Sequence, residues 1–359
     1  MDFVSAYIFG LKNGANYTQK PDMGRKFFYD YKARQAYQFW PQDVPKLTRF
    51  LSKVGLLPLV IPKWVSKANF DIEGWIISMQ DKAEQTVQQA EREGEKGDPQ
   101  DWPNVYVQLR HALIKSKLGS NAEKQQVADM VQQQRLEVAS EMLDHTLAGF
   151  DTSSITLTFL AYELSLEENS QWQEYLRAEL AGVSDITDAK ALDSLPILQA
   201  IMMEALRLHA AIPGNQPRVT PPNAQLGPFT NLPANVRVQA QAWSLHRNPD
   251  VFPEPETFNP SRWLDSNAFP ELATSSAEQL KEMNKWFWAF GSGGRMCVGS
   301  NLAMLDMKAI VAGVWANFRT RVQDGRGMVH KGCYVADPVG HNGNYLVLRI
   351  EELRDEKPI

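Results

Sequence analysis

Cysteine is scarce in this 359-residue sequence, which holds only Cys297 and Cys333. Two thiols exclude a disulfide framework and suit a reducing compartment, with a Cys297–Cys333 bridge as the one pairing left open. Long apolar runs are missing too. Residues 1–16 (MDFVSAYIFGLKNGAN) carry an apolar stretch but no basic lead and no small-residue cleavage site. The stretch is far shorter than the roughly 18 apolar residues of a membrane span, which excludes a signal peptide and a transmembrane segment there. Basic runs are equally absent: 37 Lys and Arg face 42 Asp and Glu, for a net charge of −5. Nothing tracks a phosphate backbone, so nucleic acid is excluded as a partner. The chain holds no H-E-x-x-H, no C-x-x-C, no Walker lysine loop and no G-x-S-x-G elbow, and its six histidines are dispersed. Those gaps set aside zinc hydrolases, dithiol redox proteins, nucleotide-loop enzymes and serine hydrolases. The run GSGG at 291–294 lacks the Lys-Ser/Thr that a phosphate loop requires. Neither repeats nor a low-complexity linker divide the chain.

What is present is ordinary for a folded protein: 43% apolar and 22% charged residues predict a sizeable core. The length allows two average domains, or one large domain built around a cofactor. Residues 1–16 read as a helix with the apolar face Phe3, Val4, Tyr7, Ile8 and Leu11, so the chain begins abruptly inside a packed element. Residues 24–40 read as an aromatic-rich helix ended by Pro41, and 45–54 as a shorter one. The run GLLPLVIPKW at 55–64 has two prolines, which exclude a regular helix. It is either a core-facing loop or a patch resting on a membrane or guarding a ligand entrance. A helix over 69–92 grades into the solvated loop EREGEKGDPQD, and 103–115 forms another. From 121 to 166 no proline interrupts the helical period, predicting one helix of some 40 residues, about 60 Å long. Gly149 weakens its middle, where Thr152 and Ser153 can bond back to the preceding turn. Helices follow at 170–182 and 195–209, the latter with Pro196 in its first turn. After Pro213, strand-like pieces at 216–220 and 236–239 alternate with proline-rich turns. A helix is expected from Ser300 to about Thr320, and GNYLVLRIEEL closes the chain as a strand. Helices first and minor sheet later make the fold mainly α (α+β).

The chemistry concentrates at residues 290–299, FGSGGRMCVG. Cys297 sits where a glycine-rich loop becomes a helix, and unpaired N–H groups with the positive end of the helix dipole favour a thiolate. A cysteine so placed is suited to hold a metal; in isolation, a buried free cysteine is the commoner reading. Glu204 and Arg207 stand three apart on one helix and share a face. Apolar Ile201, Met202, Leu206 and Leu208 around them argue for a buried pair over a solvated one.

Three stretches together, FGSGGRMCVG, EALR at 204–207 and AGFDT at 148–152, resemble the haem-thiolate monooxygenases of the cytochrome P-450 family. Phe290, Gly293, Arg295, Cys297 and Gly299 match its signature F-x-x-G-x-R-x-C-x-G at every fixed position, a match expected by chance on the order of 10⁻⁵ from this composition. The resemblance covers essentially the whole chain and implies roles residue by residue. Cys297 would be the axial thiolate to the iron of haem b, pushing electron density towards bound dioxygen. Phe290 and the glycines would let the loop pass under a flat ring, with Gly293 and Gly299 at positions that tolerate no side chain. Arg295, and Arg218 in QPRVT, would pair with haem propionates. Glu204 and Arg207 would lock to Arg262 of FNPSRW, where Ser261 replaces the family's common glutamate. The three would shape the cysteine loop, with no catalytic role. His246, in HRNP, is read as structural. Asp151 and Thr152 would be the acid and alcohol that position water and deliver protons to bound dioxygen, with Ala148 and Gly149 leaving it room in a groove of the helix.

The reaction so implied is hydroxylation or epoxidation of an apolar small molecule by dioxygen, with electrons from NADPH through a partner reductase. FGSGGRMCVGSNLA resembles fungal members that oxidise natural products (secondary metabolites). Residues 1–359 would form a single haem-thiolate domain, the C-terminal portion of the family fold, lacking the N-terminal anchor, first strands and early helices that normally precede it. Two rival readings stand beside this one. A haem-thiolate isomerase or dehydratase would need no dioxygen, and Asp151 and Thr152 disfavour it; a truncated, non-catalytic remnant would act as a binding protein. The resemblance also implies the cytoplasmic side of the endoplasmic reticulum, with peripheral membrane contact.

Overall fold

The computed structural model describes residues 1–95, 97–118, 124–331, 335–340 and 346–353. They form two compact units, Met1–Phe150 and Asp151–Ile359. The first unit is helical: α1 (Asp2–Phe9), α2 (Pro21–Gln35), α3 (Phe39–Asp43), α4 (Pro45–Lys53), α5 (Lys63–Glu93), α6 (Asn104–Lys117), α7 (Lys124–Gln133) and the N-terminal half of α8 (Arg135–Ser165). Proline opens α2 and α4, where its missing N–H has no intrahelical partner to lose. The spine of this unit is α5. Its Val65, Ala68, Ile72, Ile76, Met79, Ala83 and Val87 recur at helical spacing as one buried stripe. Val4, Ile8 and Phe9 of α1, Tyr106 and Val107 of α6, and Val138, Ala139 and Met142 of α8 pack with the stripe's C-terminal part.

Several expectations change in this unit. The inward side of α1 is Val4, Ser5, Ile8 and Phe9, while Phe3, Tyr7 and Leu11 are exposed. Ser5 fixes that choice, because its Oγ accepts the amide of Ala15 at 2.9 Å. The helix expected at 24–40 stops at Gln35, and Pro41 falls in the first turn of α3, where no N–H is required. The 55–64 run does not face a core: Leu56 and Leu59 are exposed, the latter by 80%, around a single 3-10 turn. The long helix is divided. Residues 121–123 lie outside the described residues, and α7 and α8 meet at a joint at Gln134. No glycine or proline marks that joint, but polar side chains tie it down. Lys117 Nζ donates to Gln134 Oε1 at 2.6 Å, and Arg135 binds Asp81 through two bonds at 2.8 and 2.5 Å.

The second unit holds the C-terminal half of α8, then α9 (Ser170–Leu180), α10 (Ala189–Asp193), α11 (Pro196–Leu208), α12 (Ala242–Leu245), α13 (Ala277–Trp286) and α14 (Ser300–Trp315). Its described strands pair as small antiparallel ribbons: β1 (Asn215–Val219) with β4 (Arg237–Gln241), β2 (Ala224–Leu226) with β3 (Phe229–Leu232), β5 (Phe318–Asp324) with β8 (Val347–Glu352), and β6 (Val329–His330) with β7 (Pro338–Val339). At the centre lies α11, surrounded by Leu160 and Leu164 of α8, Leu176 and Leu180 of α9, and Met307, Val311 and Trp315 of α14. Burial at about 2 kcal/mol per large aliphatic side chain fixes α11 there, and its two charged residues, Glu204 and Arg207, are carried in with it.

The last helix is shorter than its sequence suggests. It ends at Trp315, and Thr320 lies in β5 opposite Ile350. The Thr320 hydroxyl meets Ser165 Oγ at 2.7 Å and Trp315 Nε1 at 3.1 Å, so tertiary bonding draws this segment into the sheet. The architecture is mainly helical with small antiparallel sheets, as expected. Among the described residues, no helix is long and apolar enough to cross a membrane.

Candidate functional site

Glu204 and Arg207 are both fully buried. The guanidinium grips the carboxylate through two bonds, Nε to Oε2 and Nη2 to Oε1, each at 2.8 Å. Arg262 Nε adds a third at 3.0 Å and the Asn259 amide a fourth at 2.9 Å, as the sequence reading expects for Arg262. Trp263 Nε1 supplies a fifth at 2.8 Å, which that reading missed. Burial alone would raise the Glu204 carboxyl, but the bonds and charge of Arg207, then Arg262, hold it below its ordinary value. The rest of Arg207 is spent on carbonyls: Nη1 donates to His246 at 2.9 Å and Pro255 at 2.7 Å, and Nη2 to Thr257 at 3.2 Å. Ser261, which stands where a glutamate is common, is buried and donates to Asn259 Oδ1 at 2.5 Å, so it stabilises the turn that presents Arg262.

His246 connects this cluster to the cysteine loop. The Arg207 carbonyl can only accept, and the Trp288 N–H can only donate. The contacts of Nδ1 with Arg207 O and of Nε2 with Trp288 N, both 2.8 Å, therefore assign a neutral imidazole protonated at Nδ1. Burial, more than any other influence, pushes its pKa down to about 4. The ring also stacks on Phe287, centroids 5.4 Å apart.

Beyond Trp288 the loop closes on itself. Gly291 N–H donates to Trp288 O at 2.9 Å, Met296 N–H to Gly293 O at 3.0 Å, and Cys297 N–H to Phe290 O at 2.8 Å. Phe290 packs against the core, while Met296, Cys297 and Val298 are exposed, Val298 by 91%. Gly293 has φ +69°, a conformation that strains any residue with a Cβ, which meets the expectation at that position. Gly299 differs in its own backbone. Its φ is −90° and a Cβ there would touch nothing within 4 Å, so nothing among the described residues demands a glycine. Cys297 lies three residues before α14 and is a free thiol; Cys333 is outside the described residues, so the bridge between them falls there too.

One free thiol among glycines is the donor chemistry that a haem-thiolate site would require. An exposed thiol sits among uncovered apolar groups, and open space surrounds Gly293, Gly294 and Gly299. Two cations stand near it. Arg218 on β1 donates to Ser292 O at 3.4 Å, and Arg295 lies within the loop; among the described residues neither is in an ion pair with a carboxylate. Asp151 is buried on α8 and Thr152 half-buried beside it. The hydroxyls of Ser154 and Thr156 bond back to their carbonyls at 2.8 and 3.1 Å. The groove expected beside Gly149 is filled: a Cβ there would lie 2.9 Å from Val4 Cγ1, so this glycine permits close helix approach.

A second polar cluster was not foreseen. His209 Nε2 meets Glu163 Oε1 at 2.7 Å, and its Nδ1 meets His330 Nε2 at 2.9 Å, with the His209 ring stacked on Phe159. Burial is the leading cause in each case: it raises Glu163 to about 7 and lowers both histidines to about 3. These residues border a cavity of ≈ 310 Å³. His209 directly follows the EALRL stretch, but no local pattern joins it to partners 46 and 121 positions away.

The mainly helical fold and the cysteine loop FGSGGRMCVG agree with what the haem-thiolate resemblance implies. A family model described as cytochrome P-450 matches residues 44–333. Among individual proteins, the chain is 37% identical over 178 residues to cytochrome P-450 monooxygenase avaI of Aspergillus versicolor, covering 48% of this chain and 43% of that protein. It is 32% identical to the monooxygenase FGM1 of Gibberella zeae, covering 56% and 38%. It is 33% identical to the human mitochondrial 25-hydroxyvitamin D-1 alpha hydroxylase, covering 50% and 33%. The matches span less than half the length of each of these relatives. With most of its length inside the family model, the chain belongs to the cytochrome P-450 family, whose cofactor is a haem iron.

Proposed function

We propose that the protein is a haem-thiolate monooxygenase that places one atom of dioxygen into a C–H or C=C bond of an apolar small molecule, with residues 1–359 working as one domain in natural-product metabolism. The observation that carries this reading is Cys297, exposed on a glycine loop that is pinned to a buried Glu204–Arg207 pair. Haem b, when bound, supplies the activation of dioxygen. Cys297 offers it one soft anionic ligand. Arg295 and Arg218 neutralise its propionates. Glu204, Arg207 and Arg262 hold the support of the loop. Asp151 and Thr152 hold and pass a proton, the hydroxyl of Thr152 being the donor.

Electrons come from NADPH through a partner reductase. The same proposal includes peripheral membrane contact on the cytoplasmic side of the endoplasmic reticulum. Exposed Phe39, Leu47, Phe50, Leu56 and Leu59 support that part. The test is turnover by the haem-loaded protein with reductase and NADPH under isotopically heavy dioxygen. Heavy oxygen in a product of an apolar substrate panel is expected; conversion independent of dioxygen would point to an isomerase or dehydratase.

A further inference from the structure

We propose that His246 is a positioning residue for the Cys297 loop, acting through the amide of Trp288 to set where the loop begins. The proposal rests on the haem-thiolate reading only for what the loop presents; its own geometry stands apart from any cofactor. His246 is fully buried and fastened to Arg207 twice, accepting Nη1 on its carbonyl at 2.9 Å and donating Nδ1–H to the Arg207 carbonyl at 2.8 Å. Arg207 is fully buried and held in turn to Glu204 by two bonds of 2.8 Å. The far end of the imidazole takes the Trp288 N–H at 2.8 Å.

From that point the chain of bonds runs into the ligand loop. Trp288 O accepts the Gly291 amide at 2.9 Å, which fixes the left-handed turn at Gly291 (φ +70°). Phe290, in the same turn, accepts the Cys297 amide at 2.8 Å. Among the described residues, the other side-chain tie from outside the loop, Arg218 to Ser292 O, is long at 3.4 Å. His246 thus carries the position of α11 to Cys297 through two backbone links. The imidazole suits this task because it holds a donor and an acceptor at opposite ends of one rigid ring.

The two ends are separable by substitution. His246→Gln reaches the Nε2 position and can still accept from Trp288, but loses the donor to Arg207. His246→Asn reaches only the Nδ1 position, keeping the bond to Arg207 and losing Trp288. His246→Ala loses both. In haem-free protein, amide exchange at Trp288 and Cys297 and alkylation of the Cys297 thiol are measured for all four chains. Losing the Trp288 bond is expected to speed exchange at Trp288 about ten-fold, the worth of one hydrogen bond, in Asn and Ala, with Gln near wild type. In haem-loaded protein, the red-shifted Soret band of the reduced carbon monoxide adduct should follow the same order. Far-ultraviolet dichroism of the Asn and Gln variants provides the comparison for folding. Exchange unchanged in all variants, or Gln as impaired as Ala, or Asn like wild type while Gln is impaired, would overturn the proposal. If wild type binds no haem, the monooxygenase reading fails while the exchange data still decide the role of His246.

Discussion

The indole Nε1–H of Trp263 donates to Oε2 of Glu204 at 2.8 Å, completing a shell of donors around a fully buried carboxylate. A carboxylate has about four lone-pair sites, so this one is saturated, and its charge faces two buried guanidiniums. Removing the charge and removing one donor should therefore differ in cost. Glu204→Gln leaves Arg207 and Arg262 uncompensated and is expected to lose about 3–5 kcal/mol. Trp263→Phe keeps the ring and loses about 1–2 kcal/mol. Urea unfolding of both variants checks the order; equal losses would show that the charge is not what the cluster requires.

Gly149 and Val4 give a prediction that changes sign. Alanine favours a helix interior by about 1 kcal/mol over glycine, but its Cβ would stand 2.9 Å from the Cγ1 of a stiff, β-branched Val4. Overpacking of that kind costs about 1–3 kcal/mol, so Gly149→Ala should destabilise. In a Val4→Ala background the clash is gone, and the same change should stabilise. A thermal-denaturation double-mutant cycle measures both steps.

The pH dependence follows from the buried histidines. His246 and His209, at about 4 and 3 in the fold against 6.5 unfolded, contribute stability that is complete above pH 6.5 and lost as pH falls towards those values. Glu163, raised from 4.5 to about 7, works in the opposite direction, its contribution being lost as pH rises from 4.5 to 7. His330 adds to the first group at a discount, because it is only half-buried. Between pH 6.5 and 4.5 the unfolded chain takes up more protons, and stability should fall by about 1–2 kcal/mol per pH unit. Urea midpoints between pH 7 and 5 test this. His246→Gln should flatten the slope, and an unchanged slope would remove His246 as a source of it.

For turnover, the proposed proton-delivery role of Thr152 predicts that Thr152→Ala keeps NADPH oxidation and loses product, because the hydroxyl proposed to pass the proton is gone. The ratio of product formed to NADPH consumed is the measurement. An unchanged ratio would take Thr152 out of proton delivery.

Much of this was legible in the sequence because the decisive features are local. The cysteine loop is one unbroken run, and Glu204 and Arg207 declare their shared burial through the apolar residues between them. The mainly helical class follows from the periodicity of α5, α8 and α11. What the sequence hid depends on distance. Trp263 and His246 find their roles only when chain segments some 40 to 60 residues apart meet. The Glu163–His209–His330 chain spans still more. The break at Gln134 has no glycine or proline to announce it, and the start of β5, as far as Thr320, reads as the end of a helix although it pairs with β8. At Gly149 the sequence suggested a space, and the fold put Val4 there.

The central claim, that Cys297 is a thiolate ligand to haem iron, is tested most directly by the absorption spectrum of the reduced, carbon monoxide-bound protein. A red-shifted Soret band in wild type that is lost in Cys297→Ser is the predicted result. A wild-type protein that binds no haem, or a band that persists without the Cys297 thiol, would contradict it.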